Sequence, residues 1–312
     1  MPTSTPNIIV ILGPTASGKT SFAAHLASKI NGEIISADSR QVYRNLNLGT
    51  GKDYSDYVAN GMAIRYHLID IAEPGSQYNV FEYQKDFVKV FDDILQREKY
   101  PVLCGGSGMY IEAVIKGYKL IQVPINQLLR NDLDTKPLNE LISILTSYKT
   151  IHNISDTGSK KRAIRAIEIE VYNSQHPEID TWYPEIKPLL IGVRFDRFTQ
   201  RQRITERLNQ RLELGMLAEV QNLLNAGITP EKLIYYGLEY KYLTEYITGI
   251  ITYDEMFTLL NTAIHQFAKR QMTWFRRMEG QGMKIWWLDG YETIEEKVSI
   301  VTSSKHFNKV KK

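Results

Sequence analysis

The chain reads Gly13-Pro14-Thr15-Ala16-Ser17-Gly18-Lys19-Thr20 near its N-terminus, and this stretch decides the fold. It matches the phosphate-binding pattern G-x-x-x-x-G-K-[ST] at every fixed position. The apolar run at residues 8–12 predicts a buried strand, and the apolar spacing of residues 20–30 predicts a helix. In that order the loop N–H groups face an anion, Lys19 reaches its outer phosphates and the Thr20 hydroxyl holds Mg²⁺. We therefore predict a polyphosphate-binding loop.

Composition limits the class of protein. The chain has 312 residues, 43% of them hydrophobic, which is enough for one large domain and a smaller one. Cys104 is the only cysteine, so an intrachain disulfide and a cysteine-based metal cluster are excluded. No basic region typical of a signal peptide precedes the first apolar run, and no run approaches the roughly 18 residues that span a bilayer. We expect a cytoplasmic protein with no membrane partner.

The basic residues are concentrated in three segments. They are Lys160, Lys161, Arg162 and Arg165, then Arg194, Arg197, Arg201, Arg203, Arg207 and Arg211, and finally Lys269, Arg270, Arg276 and Arg277. Any one such segment is commonly a solvated face. Three of them on a phosphate-binding chain favour an extended polyanion such as nucleic acid as the partner. Composition alone leaves both interpretations open.

Strand and helix signals alternate along the chain. Further strands are predicted at residues 32–37, 66–70, 101–104 and 188–193, with helices at about 81–98 and from about 199. This alternation implies a parallel sheet that binds ligands at the carboxyl ends of its strands, where Asp38, Asp70 and Ser107 follow. We predict an α/β fold of the P-loop NTPase (nucleotide-kinase-like) type, with a parallel sheet core, a mostly helical insertion and a helical C-terminal part.

Changes in pattern along the chain predict its domains. Residues 119–187 are polar, helical in spacing and interrupted by prolines, so we predict an insertion there. Residues 1–118 and 188–302 are predicted to form the catalytic core, with short helices dominating after residue 231. Residues 303–312 are predicted to be a disordered tail.

Absent motifs narrow the function. The chain lacks the N-K-x-D motif of a GTPase, and it lacks the D-E-x-D/H box and second motor domain of a helicase. An ATP-dependent small-molecule or nucleotide kinase fits the N-terminal part but leaves the basic segments unexplained. A non-catalytic RNA-binding protein explains the basic segments but leaves the phosphate-binding loop without a use.

A series of motifs resembles the tRNA dimethylallyltransferase (tRNA isopentenyltransferase) family of the bacterial type. They are Asp38-Ser39-Arg40-Gln41-Val42-Tyr43, Gly49-Thr50-Gly51-Lys52, His67-Leu68-Ile69-Asp70, Gly105-Gly106-Ser107-Gly108-Met109-Tyr110, Arg162-Ala163-Ile164-Arg165-Ala166-Ile167-Glu168, Arg203-Ile204-Thr205-Glu206-Arg207, Gly237-Leu238-Glu239-Tyr240, and Ala268-Lys269-Arg270-Gln271-Met272-Thr273-Trp274-Phe275-Arg276. The resemblance extends over about residues 8–289. The chain departs from the family at Ser107, where threonine is usual, and it lacks the Cys₂His₂ finger of some eukaryotic members.

The resemblance implies transfer of a dimethylallyl group from dimethylallyl diphosphate to the N6 amine of the adenosine 3′ of the anticodon in tRNA. The loop would then hold the diphosphate leaving group, with Mg²⁺ at Thr20. Arg203 and Arg207, four residues apart on a predicted helix, would face the same anion, although a solvated stripe also fits their spacing. The family pattern assigns the general base to Asp38, which would otherwise fit a helix N-cap or a Mg²⁺ ligand.

Other residues are assigned by the same resemblance. The diphosphate-binding residues are Gly13, Pro14, Thr15, Ala16, Ser17, Gly18, Lys19 and Thr20, and the catalytic set is Asp38, Lys19, Thr20, Arg203 and Arg207. The positions implied to contact tRNA are Asp38, Ser39, Arg40, Gln41, Ser107, Arg130, Lys161, Arg162, Ala163, Ile164, Arg165, Tyr235, Tyr236, Gly237, Leu238, Glu239 and Tyr240. The insertion is thereby implied to contact the anticodon stem-loop, and we expect a monomer. Asp70 is given no proton-transfer role, and His67 is interpreted as a satisfied core residue.

Overall fold

A computed structural model describes residues 5–151, 156–176, 182–305 and 307. The strands are β1 (Ile8–Leu12), β2 (Gly32–Ser36), β3 (Val58–Ala59), β4 (Met62–Ala63), β5 (Tyr66–His67), β6 (Tyr100–Gly105), β7 (Pro188–Arg194) and β8 (Ile285–Asp289). The helices are α1 (Lys19–Ile30), α2 (Val80–Gln96), α3 (Gly108–Lys116), α4 (Gln127–Asp134), α5 (Leu138–Tyr148), α6 (Lys160–Gln175), α7 (Arg197–Glu213), α8 (Met216–Asn225), α9 (Pro230–Tyr235), α10 (Leu238–Ile247), α11 (Tyr253–Gly280) and α12 (Ile294–Thr302).

The described residues form a six-stranded parallel sheet in the order β5-β2-β6-β1-β7-β8. β1 lies inside the sheet, where Val10 is paired with Leu103 on one side and Leu190 on the other. All five residues of β1 are buried, as expected for a parallel strand covered on both faces. A separate antiparallel pair is formed by β3 and β4. The predicted α/β fold with a parallel sheet is confirmed.

The direction of the strands brings the predicted site to one edge of the sheet. The phosphate-binding loop follows β1, and Asp38 and Ser107 follow the ends of β2 and β6. β6 lies between β1 and β2, so these three connections are neighbours in space. The carboxyl end of a parallel sheet is the usual ligand-binding edge.

Three elements differ from the sequence predictions. The strand predicted at residues 66–70 ends at His67, since Leu68 and Asp70 have positive φ values of 62° and 54°. β8 was not predicted, because its apolar residues follow a region interpreted as helical. α11 is one helix of 28 residues rather than several short ones. It begins with a Thr252–Glu255 capping box and buries apolar residues at helical spacing along most of its length.

The chain divides into two compact units, one of Met1–Tyr118 with Pro184–Lys312 and one of Lys119–Tyr183. The first unit contains the sheet. The second has its own apolar core, made by Leu133, Leu141, Leu145, Ile164 and Ile167. Of the predicted tail at residues 303–312, residues 306 and 308–312 lie outside the described residues, whereas Phe307 is buried. No helix in the described ranges is long and apolar enough to cross a membrane.

A buried ion-pair cluster anchors the outer strands of the sheet. Glu33 of β2 accepts hydrogen bonds from Arg97 Nη2 at 2.7 Å and Nε at 3.2 Å, and it lies 2.7 Å from Nε2 of His67. Burial alone would raise the pKa of Glu33, but Arg97 and His67 outweigh it and hold that pKa below its usual value. His67 is thus a satisfied structural residue, as the sequence indicated.

We expect Glu33→Gln to lower the free energy of unfolding at pH 7 by about 2 kcal/mol, because it removes charge-assisted hydrogen bonds. A lowered carboxyl pKa stabilises the fold above the unfolded-state value of about 4.3, and this contribution is lost as pH falls through the folded-state pKa. Urea unfolding between pH 3.5 and 7 should therefore show that the free energy of unfolding falls less on acidification in the variant than in the wild type. Glu206→Gln, an exposed carboxylate on α7, is the control, and equal losses in both variants would contradict the assignment.

Candidate active site

The phosphate-binding loop turns directly into α1. Gly18 forms the N-cap of this helix with φ 76° and ψ 13°, a left-handed conformation that glycine adopts without a steric penalty. Ala16 also has a positive φ of 60°, which strains a residue that carries a Cβ. The first turn of α1 contains no acidic residue. Its N-terminus therefore keeps the partial positive charge that attracts an anion.

Side chains from α7 and α11 hold the loop in this shape. Gln200 Nε2 donates to the Thr15 carbonyl at 2.6 Å, and Arg203 Nε donates to the Ala16 carbonyl at 3.0 Å. From the other side, Gln271 Oε1 accepts a hydrogen bond from the Thr15 N–H at 2.8 Å. The loop conformation is therefore fixed by groups far away in the sequence.

One buried hydroxyl in the loop has no protein partner. Ser17 is 3% exposed, and its Oγ makes no hydrogen bond within the described ranges. Leaving a buried polar atom unpaired costs about 1–3 kcal/mol, so such atoms are rare in native proteins.

Lys19 lies over the loop, where its Nζ donates to the Pro14 carbonyl at 3.3 Å. Burial lowers the pKa of Lys19; Cys104 counteracts this, Arg207 adds to it, and Asp38 counteracts it further. Arg207 also lines a small pocket with Thr15 and Ala16 of the loop, and Asp38 follows β2 at the same edge of the sheet.

Asp38 caps the turn that follows β2. Its Oδ1 accepts hydrogen bonds from the backbone N–H groups of Arg40 at 2.8 Å and Gln41 at 3.3 Å. Ser107 Oγ accepts a hydrogen bond from the Ser39 N–H at 3.1 Å, which ties this turn to the start of α3. Oδ2 of Asp38 accepts no hydrogen bond from the part of the chain that the structure describes. This oxygen is available to a substrate.

The two predicted diphosphate-binding arginines of α7 have different partners. Arg203 lies over the Phe195 ring at 4.5 Å and bonds to the loop carbonyl described above. Arg207 Nη2 donates to Asp53 Oδ2 at 2.6 Å, and Arg211 Nη2 donates to the same oxygen at 3.0 Å. Burial would raise the pKa of Asp53, but Arg211 and Arg207 hold it below its usual range.

The predicted tRNA-contacting residues of this unit divide into exposed and buried ones. Tyr235 is 49% exposed, and the Arg40 guanidinium lies 5.2 Å from the centre of its ring. Tyr236 and Tyr240 are 2% and 0% exposed, so their side chains support the surface from below. Gln41 Nε2 donates to a backbone carbonyl at 3.0 Å and fixes the turn.

The remaining residues of that predicted group form the start of α10. Gly237 is the N-cap, with φ 146°, and Leu238 begins the helix. Burial raises the pKa of Glu239, and Arg211 partly counteracts it. These three residues are partly exposed, and their contact with tRNA stays a prediction.

Asp70 has a structural role. Lys52 has a fully buried side chain and donates from Nζ to Asp70 Oδ1, and the Tyr54 hydroxyl donates to Asp70 Oδ2 at 2.6 Å. Burial lowers the pKa of Lys52, whereas Asp70 raises it. The carboxylate is thus occupied by two partners, in agreement with the absence of a proton-transfer role.

A cavity of about 930 Å³ lies beside the loop at the ends of β7 and β8. Its lining includes the aromatic side chains of Phe195, Trp287 and Tyr291. Five exposed cations also line it, and none has an ion-pair partner among the described residues: Arg194, Arg197, Arg201, Lys269 and Arg276. Two basic segments that are about seventy residues apart in the sequence therefore surround one cavity.

The predicted tRNA-contacting residues of the second unit also differ in availability. Arg130 makes a bidentate ion pair with Glu168, at 2.9 and 2.8 Å, and Arg165 bonds to the same carboxylate. Burial would raise the pKa of Glu168, but Arg130 and Arg165 hold it low. Lys161 and Arg162 lie on the surface and form no ion pair with any residue that the structure describes, whereas Ala163 and Ile164 are buried.

Sequence reasoning missed several residues of the site. Gln200 and Gln271 bond to the loop, and Asp53 bonds to Arg207 and Arg211. Gln271 lies inside a family motif and Arg211 inside a basic segment, but neither residue was assigned a role in the site from the sequence. Asp56 is a further acid near Lys19, and burial raises its pKa. In the described ranges, no group of three or more His, Cys, Asp or Glu residues is arranged to hold a metal ion.

Comparisons with known proteins agree with this geometry. A sequence profile described as IPP transferase matches residues 41–278, more than half of the chain. A Bacteroides fragilis protein named tRNA dimethylallyltransferase 2 is 60% identical over 295 residues, which cover 95% of this chain and 96% of the relative. The solved tRNA isopentenylpyrophosphate transferase of Bacillus halodurans is 28% identical, with a TM-score of 0.69 and coverage of 98% of this chain and 99% of that one.

A eukaryotic dimethylallyltransferase acting on tRNA shares the fold. Its solved structure has a TM-score of 0.75 at 21% identity and covers 96% of this chain and 77% of that chain. The profile match and the near full-length bacterial relative together decide the family. The chain belongs to the tRNA dimethylallyltransferase (IPP transferase) family.

Proposed function

We propose that the protein transfers a dimethylallyl group from dimethylallyl diphosphate to the N6 amine of the adenosine 3′ of the anticodon in tRNA. The observation that supports this most is the closeness of two different groups at one sheet edge. The phosphate-binding loop follows β1 and Asp38 follows β2, and only β6 separates these two strands in the sheet. Incubation with unmodified tRNA and labelled dimethylallyl diphosphate, followed by digestion to nucleosides, tests the reaction.

The loop and its cations hold the departing diphosphate. As the bond between C1 of the dimethylallyl group and the diphosphate oxygen breaks, negative charge grows on the leaving group. Lys19, Arg203 and Arg207, with the loop N–H groups, stabilise that charge through donors that are already in place. No phosphoryl group is transferred.

Asp38 acts on the other half of the reaction. The exocyclic amine of adenine is a weak nucleophile, because its lone pair is delocalised into the ring. Oδ2 of Asp38 accepts an N–H hydrogen bond, orients the amine and takes its proton as the N6–C1 bond forms. The target base must leave its stack to reach this oxygen, at a cost of a few kcal/mol that contacts with the protein offset.

Mg²⁺ fits the chemistry of the donors present. Mg²⁺ commonly binds through one or two protein oxygens, several waters and substrate phosphates, so the absence of a three-carboxylate group in the described residues is compatible with it. The Thr20 hydroxyl at the start of α1 would hold the ion beside the diphosphate. When bound, the ion supplies positive charge to the leaving group.

Exposed cations are proposed to bind the RNA backbone. Within the described residues, Lys161 and Arg162 of the second unit have no ion-pair partner, and neither do the cations that line the 930 Å³ cavity of the first. Phosphate contacts of this kind give affinity without sequence information. The Arg40–Tyr235 pair offers a planar surface near Asp38 on which a base can stack.

We further propose that the enzyme acts as a monomer in the cytoplasm, where tRNA is modified. Sedimentation analysis of the active protein tests it.

We expect Asp38→Asn to lower kcat by roughly 10²-fold, because the amide cannot accept the proton from the amine. Binding of inorganic pyrophosphate should change little, since Asp38 makes no contact with the diphosphate in this proposal. Single-turnover transfer measures the effect, with Asp254→Asn, an exposed acid on α11, as the control. A wild-type single-turnover rate in Asp38→Asn would refute the assignment.

Lys19→Ala should reduce transfer by roughly 10²-fold, because one charge on the leaving diphosphate is lost. Removal of Mg²⁺ with a chelator should also slow the reaction, and ATP should be neither required nor hydrolysed. Lys29→Ala, at an exposed position of the same helix, serves as the matched control. Stoichiometric ADP formation coupled to product would favour the kinase alternative instead.

Replacing Lys161 and Arg162 with alanine should weaken tRNA binding and reduce the slope of log K against log salt by about 1.4 to 1.8, at 0.7 to 0.9 for each phosphate contact. Filter binding across a salt series measures the slope. The control replaces Lys85 and Lys89, two exposed lysines of α2. An unchanged slope in the Lys161–Arg162 variant would make these residues a solvated face.

A further inference from the structure

The segment from Asn47 to Asp53 is held rigidly although it contains little regular structure. Glu219 of α8 accepts hydrogen bonds from three consecutive backbone N–H groups of the segment, at 3.1, 2.8 and 3.1 Å. The Tyr240 hydroxyl donates to Glu219 at 2.7 Å and orients it. The buried Lys52–Asp70 pair fixes the end of the segment. The segment contains the motif Gly49-Thr50-Gly51-Lys52, to which the proposed reaction assigns no role.

The fixed segment presents Asp53 to two arginines of α7. Arg207 and Arg211 lie one helical turn apart and donate to the same carboxylate oxygen at 2.6 and 3.0 Å. The side chain of Arg211 is 11% exposed and that of Arg207 is 28% exposed. The guanidinium of Arg211 also lies so close to Gly51 that a Cβ there would be 2.6 Å from its Nη2. Arg211 is therefore confined, and Arg207 is the more accessible partner.

The geometry leaves part of Arg207 available. A guanidinium carries five N–H donors in a rigid plane, and the ion pair with Asp53 uses only Nη2. Arg207 also lines a small pocket together with Thr15 and Ala16 of the phosphate-binding loop. A cation held on one edge by a fixed carboxylate can present its other edge to an anion in the phosphate-binding loop.

We infer that Asp53 is a positioning residue, which holds Arg207 so that its remaining donors face the diphosphate. The same carboxylate also pairs with Arg211 and offsets the repulsion between the two guanidiniums, so the three side chains together keep one net positive charge. Without Asp53, two like charges one helical turn apart would be left partly buried, which is costly. This inference rests on the proposed function, since it needs a diphosphate in the loop.

A double-mutant cycle on the full-length enzyme tests the inference. Asp53→Asn should lower kcat/KM for dimethylallyl diphosphate about tenfold and weaken the binding of inorganic pyrophosphate by a similar factor. In the Arg207→Ala background, the same Asp53→Asn change should have no further effect, because Asp53 acts through Arg207. Asp53→Glu keeps the charge and should stay within about threefold of the wild type. The matched control is Glu213→Gln, which removes one negative charge at an exposed position of α7, the helix that carries Arg207.

Several outcomes would overturn the inference. These are a full tenfold effect of Asp53→Asn in the Arg207→Ala background, tighter pyrophosphate binding by Asp53→Asn, and an equal loss in Asp53→Glu. If Asp53→Asn fails to fold, Asp53→Glu is measured in the wild-type and Arg207→Ala backgrounds instead. A loss of kcat/KM beyond threefold that is the same in both backgrounds would show that Asp53 does not act through Arg207. The proposed function is tested separately, by dimethylallyl transfer in the wild type and by the loss of that activity in Arg207→Ala.

Discussion

The candidate site depends on how the rest of the protein hydrogen-bonds the backbone groups of the phosphate-binding loop. If the loop is to bind an anion, its N–H groups must point at the ligand rather than at protein acceptors. Gln200 and Arg203 donate hydrogen bonds to two loop carbonyls from one side, and Gln271 accepts a hydrogen bond from one loop N–H on the other side. Because these bonds come from α7 and α11, the loop keeps its shape only when the C-terminal helices pack beside the sheet.

The order of the parallel strands explains why the phosphate-binding loop and Asp38 lie at the same edge of the sheet. β6 separates β1 from β2, so the phosphate loop, Ser107 and Asp38 follow neighbouring strands at one edge. The Ser107 hydroxyl fixes the turn that carries Asp38, and Oδ1 of that carboxylate is used within the turn. Oδ1 is held within the turn and Oδ2 has no partner among the described residues, which is the arrangement that the general base proposed for Asp38 requires.

Charge in the site is arranged around shared carboxylates. Asp53 serves two arginines in the first unit, and Glu168 serves two in the second. Sharing one carboxylate between two arginines offsets their mutual repulsion, and it also leaves fewer of their donors to bind RNA phosphates. A count of arginines along the sequence therefore overstates the phosphate-binding surface, as Arg130 and Arg165 illustrate.

The sequence by itself determined the fold class and the phosphate loop, because these depend on local patterns: a strand, a glycine-rich turn and a helix in series. The role predicted for Asp38 came from the resemblance to the family. The sequence did not predict β8, because a short strand at a sheet edge is recognised only by its partner, here β7. Nor did it indicate that Tyr236 and Tyr240 are buried, or that Gln271 and Asp53 belong to the site. Those properties arise from contacts between residues more than a hundred positions apart, which only the tertiary structure brings together.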